Sequence, residues 1–392
     1  MAAQEAKYQK VIDWVKENIE NGTFRPGDRL ESENEMSERF GISRQTIRHA
    51  TGVLAAMDLV TRVRGSGTYI KEPETDASAG TREGVPGTAA GDPGRHAEGA
   101  ARVPTMNIGV VSTFYESYIF PSTLKGIERV LSKNGYTMQV SFTDNRLYRE
   151  EAILRTILEK NTLDGLIVEP AKSALPNPNI RYYRELQERG VPLIFFNSYY
   201  QELDAPCVRL DDVGVARKAV SLLIRAGHTR IGGIFKCDDA QGQRRYQGYL
   251  EAMLTSGCRP GQDQVLWIDT PEMMDMKVIG DYLFHRMRDC SAVLCYNDQV
   301  AFQVVEMATE RGIRVPEDLS VVGIDDAYLA SVSKVPLTSF PHPKEKLGRK
   351  TAENLLKMIE DPSFDGNCLF DSEPVIRESI ANLPVPREKA VL

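Results

Sequence analysis

At 392 residues with 42% hydrophobic content, the chain has room for two or three domains with their own cores, which excludes disorder throughout. No run approaches the roughly 18 apolar residues of a membrane helix, and the N-terminus lacks signal-peptide order, so a cytoplasmic protein is expected. The net charge of -7 disfavours phosphate contact on average, but it hides an asymmetry: Glu5 to Glu38 holds five Lys/Arg against nine Asp/Glu, whereas Arg39 to Lys71 holds six Lys/Arg and only Asp58.

Tyr8, Val11, Ile12, Val15 and Ile19 recur at helical spacing beside Trp14, which predicts a first amphipathic helix ended by Asn21-Gly22. Ser32 and Glu35 have capping-box spacing and open a second helix through Met36 and Phe40, closed by Gly41. A third helix starts at Ser43. Its positions Ile47, Ala50, Val53 and Leu54 face a core and leave Arg44, Gln45 and Arg48 outward. Arg forks to guanine, Gln pairs with adenine, and the hydroxyls of Ser43 and Thr46 suit a phosphate at a helix N-terminus, so this helix is suited to a major groove. Residues 59 to 63 and 68 to 70 then form short strands around the tip Arg64-Gly65-Ser66-Gly67, a basic wing.

A lone Arg-rich helix is more often a solvated surface. Residues 7 to 71, however, closely resemble the winged-helix head of the GntR family, in Phe24-Arg25-Pro26-Gly27-Asp28-Arg29-Leu30, Glu33-Asn34-Glu35-Met36, Ser43-Arg44-Gln45-Thr46-Ile47-Arg48 and Gly65-Ser66-Gly67-Thr68. The resemblance implies a dimer on a two-fold symmetric operator in double-stranded DNA, with Arg44 and Arg48 as main contacts and Lys7, Glu33 and the wing assisting. Glu31 stands where the family's entry commonly has proline, which predicts a looser start to the second helix.

Residues 72 to 105 hold six Gly, four Pro and seven Ala, with only Val85 and Val103 as large apolar residues, too few to bury a core. As a flexible tether this segment spans on the order of 30 Å. From residue 106 to 384, short apolar runs alternate with helical ones, which predicts parallel sheets wrapped by helices. The runs start at Ile108, Met138, Leu166, Leu193, Ile231, Ala292 and Val321, and that number suggests two lobes. Residues 385 to 392 read as a tail. The six cysteines form no C-x-x-C pair, and there is no P-loop or dinucleotide fingerprint, so neither metal nor cofactor is expected.

Polar residues follow each run, where open parallel sheets bind ligands. A single Asn or Asp there is usually a helix cap, which suits Asp298 and Asp326 and leaves Asn297 and Asp325 freer for a ligand. Glu169 and Asn197 end long apolar strands and suit sugar hydroxyls, which both donate and accept. Tyr118 and Phe120 could stack on a sugar face; Arg245 offers a fork of donors or is an ordinary exposed helical Arg. His342 is ambiguous, since a lone histidine is more often structural.

Residues 106 to 384 resemble the effector domain of LacI-type regulators, related in fold to type I periplasmic sugar-binding proteins. The segments that carry this include Tyr118-Ile119-Phe120-Pro121-Ser122, Asp164 through Leu175, and Leu294-Cys295-Tyr296-Asn297-Asp298. The combination with the head resembles the arabinose-responsive repressors. That resemblance implies a pocket of Tyr118, Phe120, Glu169, Lys172, Asn197, Gln241, Arg245, Asn297, Asp325 and His342. The pair Glu169 and Lys172 is unusual for LacI-type bodies generally. The expected protein is a winged helix-turn-helix head on a two-lobed α/β body, a homodimeric repressor of pentose-utilisation genes, released from DNA by a sugar, L-arabinose. Response to a different sugar is an alternative. A pyridoxal-phosphate enzyme body is disfavoured by length and by the lack of a Schiff-base lysine context, and a transport binding protein by the head.

Overall fold

A computed structural model describes residues 10–12, 14–15, 17–19, 23–25, 27–44, 46–47, 50–51, 54, 60–63, 67–70, 104–115, 118–258 and 261–384. The chain divides into two compact units, residues 1–98 and 99–392. Residues 72 to 103 of the expected tether and the tail from 385 lie outside the described residues.

In the head, Val11, Ile12 and Val15 are buried with Met36, Ile47, Ala50 and Leu54, so the stripes read from the sequence meet in one core. The helix Glu33–Phe40 carries the full capping box: Glu35 N donates to Ser32 Oγ at 3.3 Å, and Ser32 N donates to Glu35 Oε2 at 2.7 Å. Gly41 ends it at φ 64°, a left-handed cap that glycine adopts without a Cβ penalty. The expected loose entry is not seen. Glu31 accepts a two-pronged grip from Arg39, Nε at 2.9 Å and NH2 at 2.5 Å, which ties the helix entry to its last turn. The next helix starts as expected, with Thr46 N donating to Ser43 Oγ at 3.2 Å and Ile47 N to Ser43 O at 3.1 Å. Strands β1 (Val60–Val63) and β2 (Gly67–Ile70) pair antiparallel, and the entry segment joins β2 through Leu30 N to Thr68 O and Ile70 N to Asp28 O.

The body is two parallel sheets. The first has the order β12-β7-β6-β5-β3-β4, with β3 Asn107–Ser112, β4 Thr137–Phe142, β5 Gly165–Val168, β6 Leu193–Phe196, β7 Cys207–Leu210 and β12 Cys368–Phe370. The second has the order β11-β10-β8-β9, with β8 Ile231–Lys236, β9 Val265–Ile268, β10 Ala292–Cys295 and β11 Ser320–Val322. All the apolar runs read from the sequence are strands; β7, β9 and β12 are additional. The chain passes between lobes after β7, before the helix Lys344–Glu360, which packs Leu347, Ala352 and Leu355 against the first sheet, and after β12, where Val375 pairs with Ser339. The carboxyl ends of both sheets therefore face one cleft. Among the described residues no helix is long and apolar enough to cross a membrane.

Candidate functional site: an interlobe cavity and a helix N-terminus

A cavity of about 720 Å³ lies in the cleft. Tyr118, Phe120, Glu169, Asn197, Gln241, Arg245, Asn297 and Asp325 all line it, drawn from both lobes. Lys172 and His342 do not. Lys172 Nζ instead donates to Asp238 at 2.8 Å, and His342 stands behind Asn197. Five lining residues, Tyr118, Asp144, Asn145, Asn197 and Asp325, have φ of 67°, 48°, 55°, 63° and 104°, a region costly for residues other than glycine and tolerated where surroundings fix it.

Glu169 follows β5 and is buried, but it is not isolated. Oε2 accepts from Thr113 Oγ1 at 2.6 Å, Thr113 N at 3.0 Å and Ser112 Oγ at 3.1 Å, and Oε1 accepts from Asn197 Nδ2 at 2.7 Å. Burial raises its pKa, and the donors from Thr113 and Asn197 oppose the rise. The carboxylate is thus held rigid at the cavity wall, with donors fixed on both oxygens.

Arg245 is not the ordinary exposed helical residue. It is 1% exposed, with Nε donating to Asp212 Oδ1 at 2.9 Å, NH2 to Asp325 Oδ1 at 3.3 Å, and NH1 to Tyr296 O. Its guanidinium also lies 4.8 Å from the centre of the Tyr296 ring. Asp325 is further held by Tyr118 Oη, which donates to Oδ2 at 2.7 Å from the other lobe. The arginine therefore orients an acceptor at the cavity and offsets part of the charge of two buried carboxylates.

The capping roles are reversed from expectation. Asn297, not Asp298, caps the helix Asp298–Glu310, accepting from Val300 N at 3.0 Å. Asp298 points inward to Ser339 Oγ at 2.6 Å and Ala327 N at 2.7 Å. Nor does Asp326 cap a helix; it pairs with Arg377 at 2.7 Å. In a pair of adjacent polar residues, the one still in extended conformation caps, and Asn297 has φ -152°. Asn297 still lines the cavity while it caps.

Sequence reasoning passed over Lys236, Asp239 and Tyr296, which also line the cavity. Lys236 is 4% exposed, with its ammonium 3.3 Å from Asp238 and 3.8 Å from Asp239, and Tyr296 Oη donates to Asp239 at 2.7 Å. The signal was present in Lys236-Cys237-Asp238-Asp239 as a polar strand end. Charged residues thus sit deep between aromatic and methionine walls that include Phe114, Tyr115, Phe120, Met273 and Met274. Such a cavity suits a small, uncharged polyhydroxylated ligand: fixed donors and acceptors at the floor and flat apolar faces around it.

In the head, Arg44 is exposed in the first turn of its helix, and the hydroxyls of Ser43 and Thr46 lie 2.9 Å apart at the N-terminus. Lys7, Gln45, Arg48, Arg64, Gly65 and Ser66 lie outside the described residues; of Glu33 and Gly67 only the backbone is described.

A winged helical head with its own core and a two-lobed body with a polar interlobe cavity define a class: DNA-binding regulators governed by a small molecule. A family model for "Bacterial regulatory proteins, gntR family" matches residues 7–70, and one for "Periplasmic binding protein-like domain" matches residues 220–380. The arabinose metabolism transcriptional repressor of Halalkalibacterium halodurans is 34% identical over 388 residues, covering 96% of this chain and 97% of that protein. Its counterpart in Geobacillus stearothermophilus is 32% identical, covering 95% of each. Among solved structures, the CelR–cellobiose complex superposes at TM-score 0.62 with 25% identity over 70% of this chain and 85% of that one. CcpA of Lactococcus lactis superposes at 0.64 with 22% identity over 71% and 100%, a likeness of fold. The chain belongs to the family of the arabinose metabolism transcriptional repressors.

Proposed function

We propose that this protein represses genes of arabinose utilisation in the cytoplasm, as a homodimer whose two heads hold a palindromic operator, and that L-arabinose releases it. The observation that carries this reading is the alignment with arabinose metabolism repressors across head and body together, at 34% identity over 388 residues. The cavity supports it chemically. A pentose offers four hydroxyls but no charge, which suits the acceptors of Glu169 and Asp325 and the donors of Lys236 and Gln241.

The mechanism follows from differential binding. Tyr118, Glu169 and Asn197 belong to one lobe and Gln241, Arg245 and Asn297 to the other, so a ligand in contact with both binds the closed arrangement more tightly than an open one. That difference is the free energy available to shift the spacing of two heads away from their half-sites, and linkage requires operator binding to weaken sugar binding by the same factor. The test is a gel shift on the protein's own upstream region, titrated with pentoses and hexoses. Retardation relieved by L-arabinose at a lower concentration than by other sugars is expected. Relief by another sugar alone would reassign the effector, and no retardation would end the reading.

A further inference from the structure

Asp238 follows β8 in the second lobe, is 1% exposed, and is not part of the cavity lining. Its Oδ2 accepts from both lobes. Thr270 of its own lobe donates through Oγ1 at 2.7 Å and through N at 3.3 Å. From across the cleft come Lys172 Nζ at 2.8 Å and, more weakly, Asn145 Nδ2 at 3.4 Å.

The same seam is stitched twice more. Asn145 Nδ2 reaches Thr270 Oγ1 at 2.7 Å, while its Oδ1 accepts from Lys172 N at 2.6 Å and so holds the lysine's own backbone. Ser173 Oγ lies 3.2 Å from Asp239 Oδ1 and accepts from Ala240 N at 3.0 Å. Asn145, after β4, and Lys172, after β5, have φ of 55° and 45°, so these two loop conformations are held by their contacts. Parting the lobes would leave Asp238 with Thr270 and the nearby ammonium of Lys236, 3.3 Å from an Oδ1 that accepts no hydrogen bond, and would forfeit a charge-assisted bond.

We infer that Asp238 is the carboxylate of a clasp that stabilises the closed lobes from outside the cavity lining, with Lys172, also outside it, and Asn145, which lines the cavity, as its partners across the cleft. It is a positioning residue. A clasp raises the population of the closed form whatever sugar is present, so it scales every affinity by one factor and leaves discrimination to the cavity wall. The sugar part of this inference rests on the function proposed above; the mechanical part does not.

Full-length Asp238→Asn and Lys172→Met proteins test it; Lys172 is 29% exposed on its side chain, so the second variant keeps the fold without burying a new group. Hydrogen exchange of the sugar-free proteins is expected to quicken severalfold in residues 170–173 and 238–242 of both variants, with strands 165–168 and 231–235 unchanged. Calorimetry is expected to show every sugar that the parent protein binds weakened by a common factor of roughly ten. Unchanged exchange in those segments, or a changed ratio between sugars in Lys172→Met, which leaves the contact of Asp238 with Lys236 in place, overturns the clasp. If the parent protein binds no sugar, the proposed function falls and the exchange measurement alone decides the clasp.

Discussion

His342 lies 3.0 Å through Nε2 from Oδ1 of Asn197, and this contact fixes which way the Asn197 amide faces. Lys344 N donates to His342 Nδ1 at 3.0 Å, so Nδ1 is the acceptor and Nε2 carries the proton. Asn197 Oδ1 is thereby the acceptor, and its Nδ2 is the group that donates to Glu169 at 2.7 Å. A backbone N–H outside the cavity thus sets, through two side chains, the polarity of a carboxylate on its wall.

His342→Phe removes that donor and leaves the Asn197 carbonyl unpaired. Sugar affinity is expected to fall roughly tenfold by calorimetry, with sugar-free operator binding retained. Burial, with Arg245 and Lys344 adding to it, pushes the His342 pKa down to about 3. Between about pH 6.5 and 3 the unfolded chain therefore binds the proton and the folded one does not. The histidine's contribution to stability is complete above about 6.5 and is lost as pH falls toward 3. The stability gap between parent and variant, from urea midpoints, is expected to narrow on acidification through that window.

Asp298 works in the opposite sense. Burial first, and Asp325 next, raise its pKa to about 8, so the folded chain keeps a proton that the unfolded chain has released. That contribution is complete below the ordinary aspartate pKa of 3.8 and lost as pH rises through about 8. Asp298→Asn is permanently neutral and similar in shape, and its amide can serve Ser339 while its carbonyl accepts from Ala327. The loss of stability that Asp298 imposes on the parent protein between about pH 4 and 8 is expected to be absent in this variant, as read from thermal midpoints across that range.

Arg245→Ala is expected to cost about 3–5 kcal/mol in denaturant unfolding, because Asp212 and Asp325 would remain buried without their cation. Asp212 is already short of partners, with Oδ2 accepting no hydrogen bond. Arg245→Ala combined with Asp212→Asn should recover part of the loss. A full, additive loss in the double variant would show the ion pair to be incidental.

The sequence made the fold legible wherever a strand was a continuous apolar run, as in Leu193–Phe196. It failed for β7, where Arg209 interrupts Cys207–Leu210, and for β9, where Trp267 is 39% exposed; both strands mix inward and outward positions. The site was legible to the level of which strand ends converge. What was not legible depends on distant partners: Arg245 is buried because Asp212, on the preceding helix, and Asp325 wait for it, and Lys172 turns from the cavity because Asp238 does. The Asn297 and Asp298 exchange was hidden for a local reason, since adjacent residues compete for one cap and only the backbone decides.

Ser32→Ala removes the side-chain acceptor of the capping box and is expected to destabilise the head by about 1 kcal/mol. The grip of Arg39 on Glu31 remains, so a larger loss, followed by circular dichroism on heating, would mean that the box orders more than the helix start.

Arg44→Ala addresses the exposed first turn of the helix after Ser43. If Arg44 forks to a base, operator affinity is expected to fall by about 1–3 kcal/mol and discrimination at one base pair to relax. If it meets a phosphate, the loss is uniform across sequences and the slope of log affinity against log salt falls by about 1. Both outcomes are read from fluorescence anisotropy on operator variants at two or more salt concentrations. Sugar affinity should be untouched in either case, because among the described residues the head's core from Val11 to Ile70 is built of head residues. A matching loss of sugar binding would mean that the head and the cavity are coupled within one chain, and would shift the control of DNA binding from dimer geometry to the protomer itself.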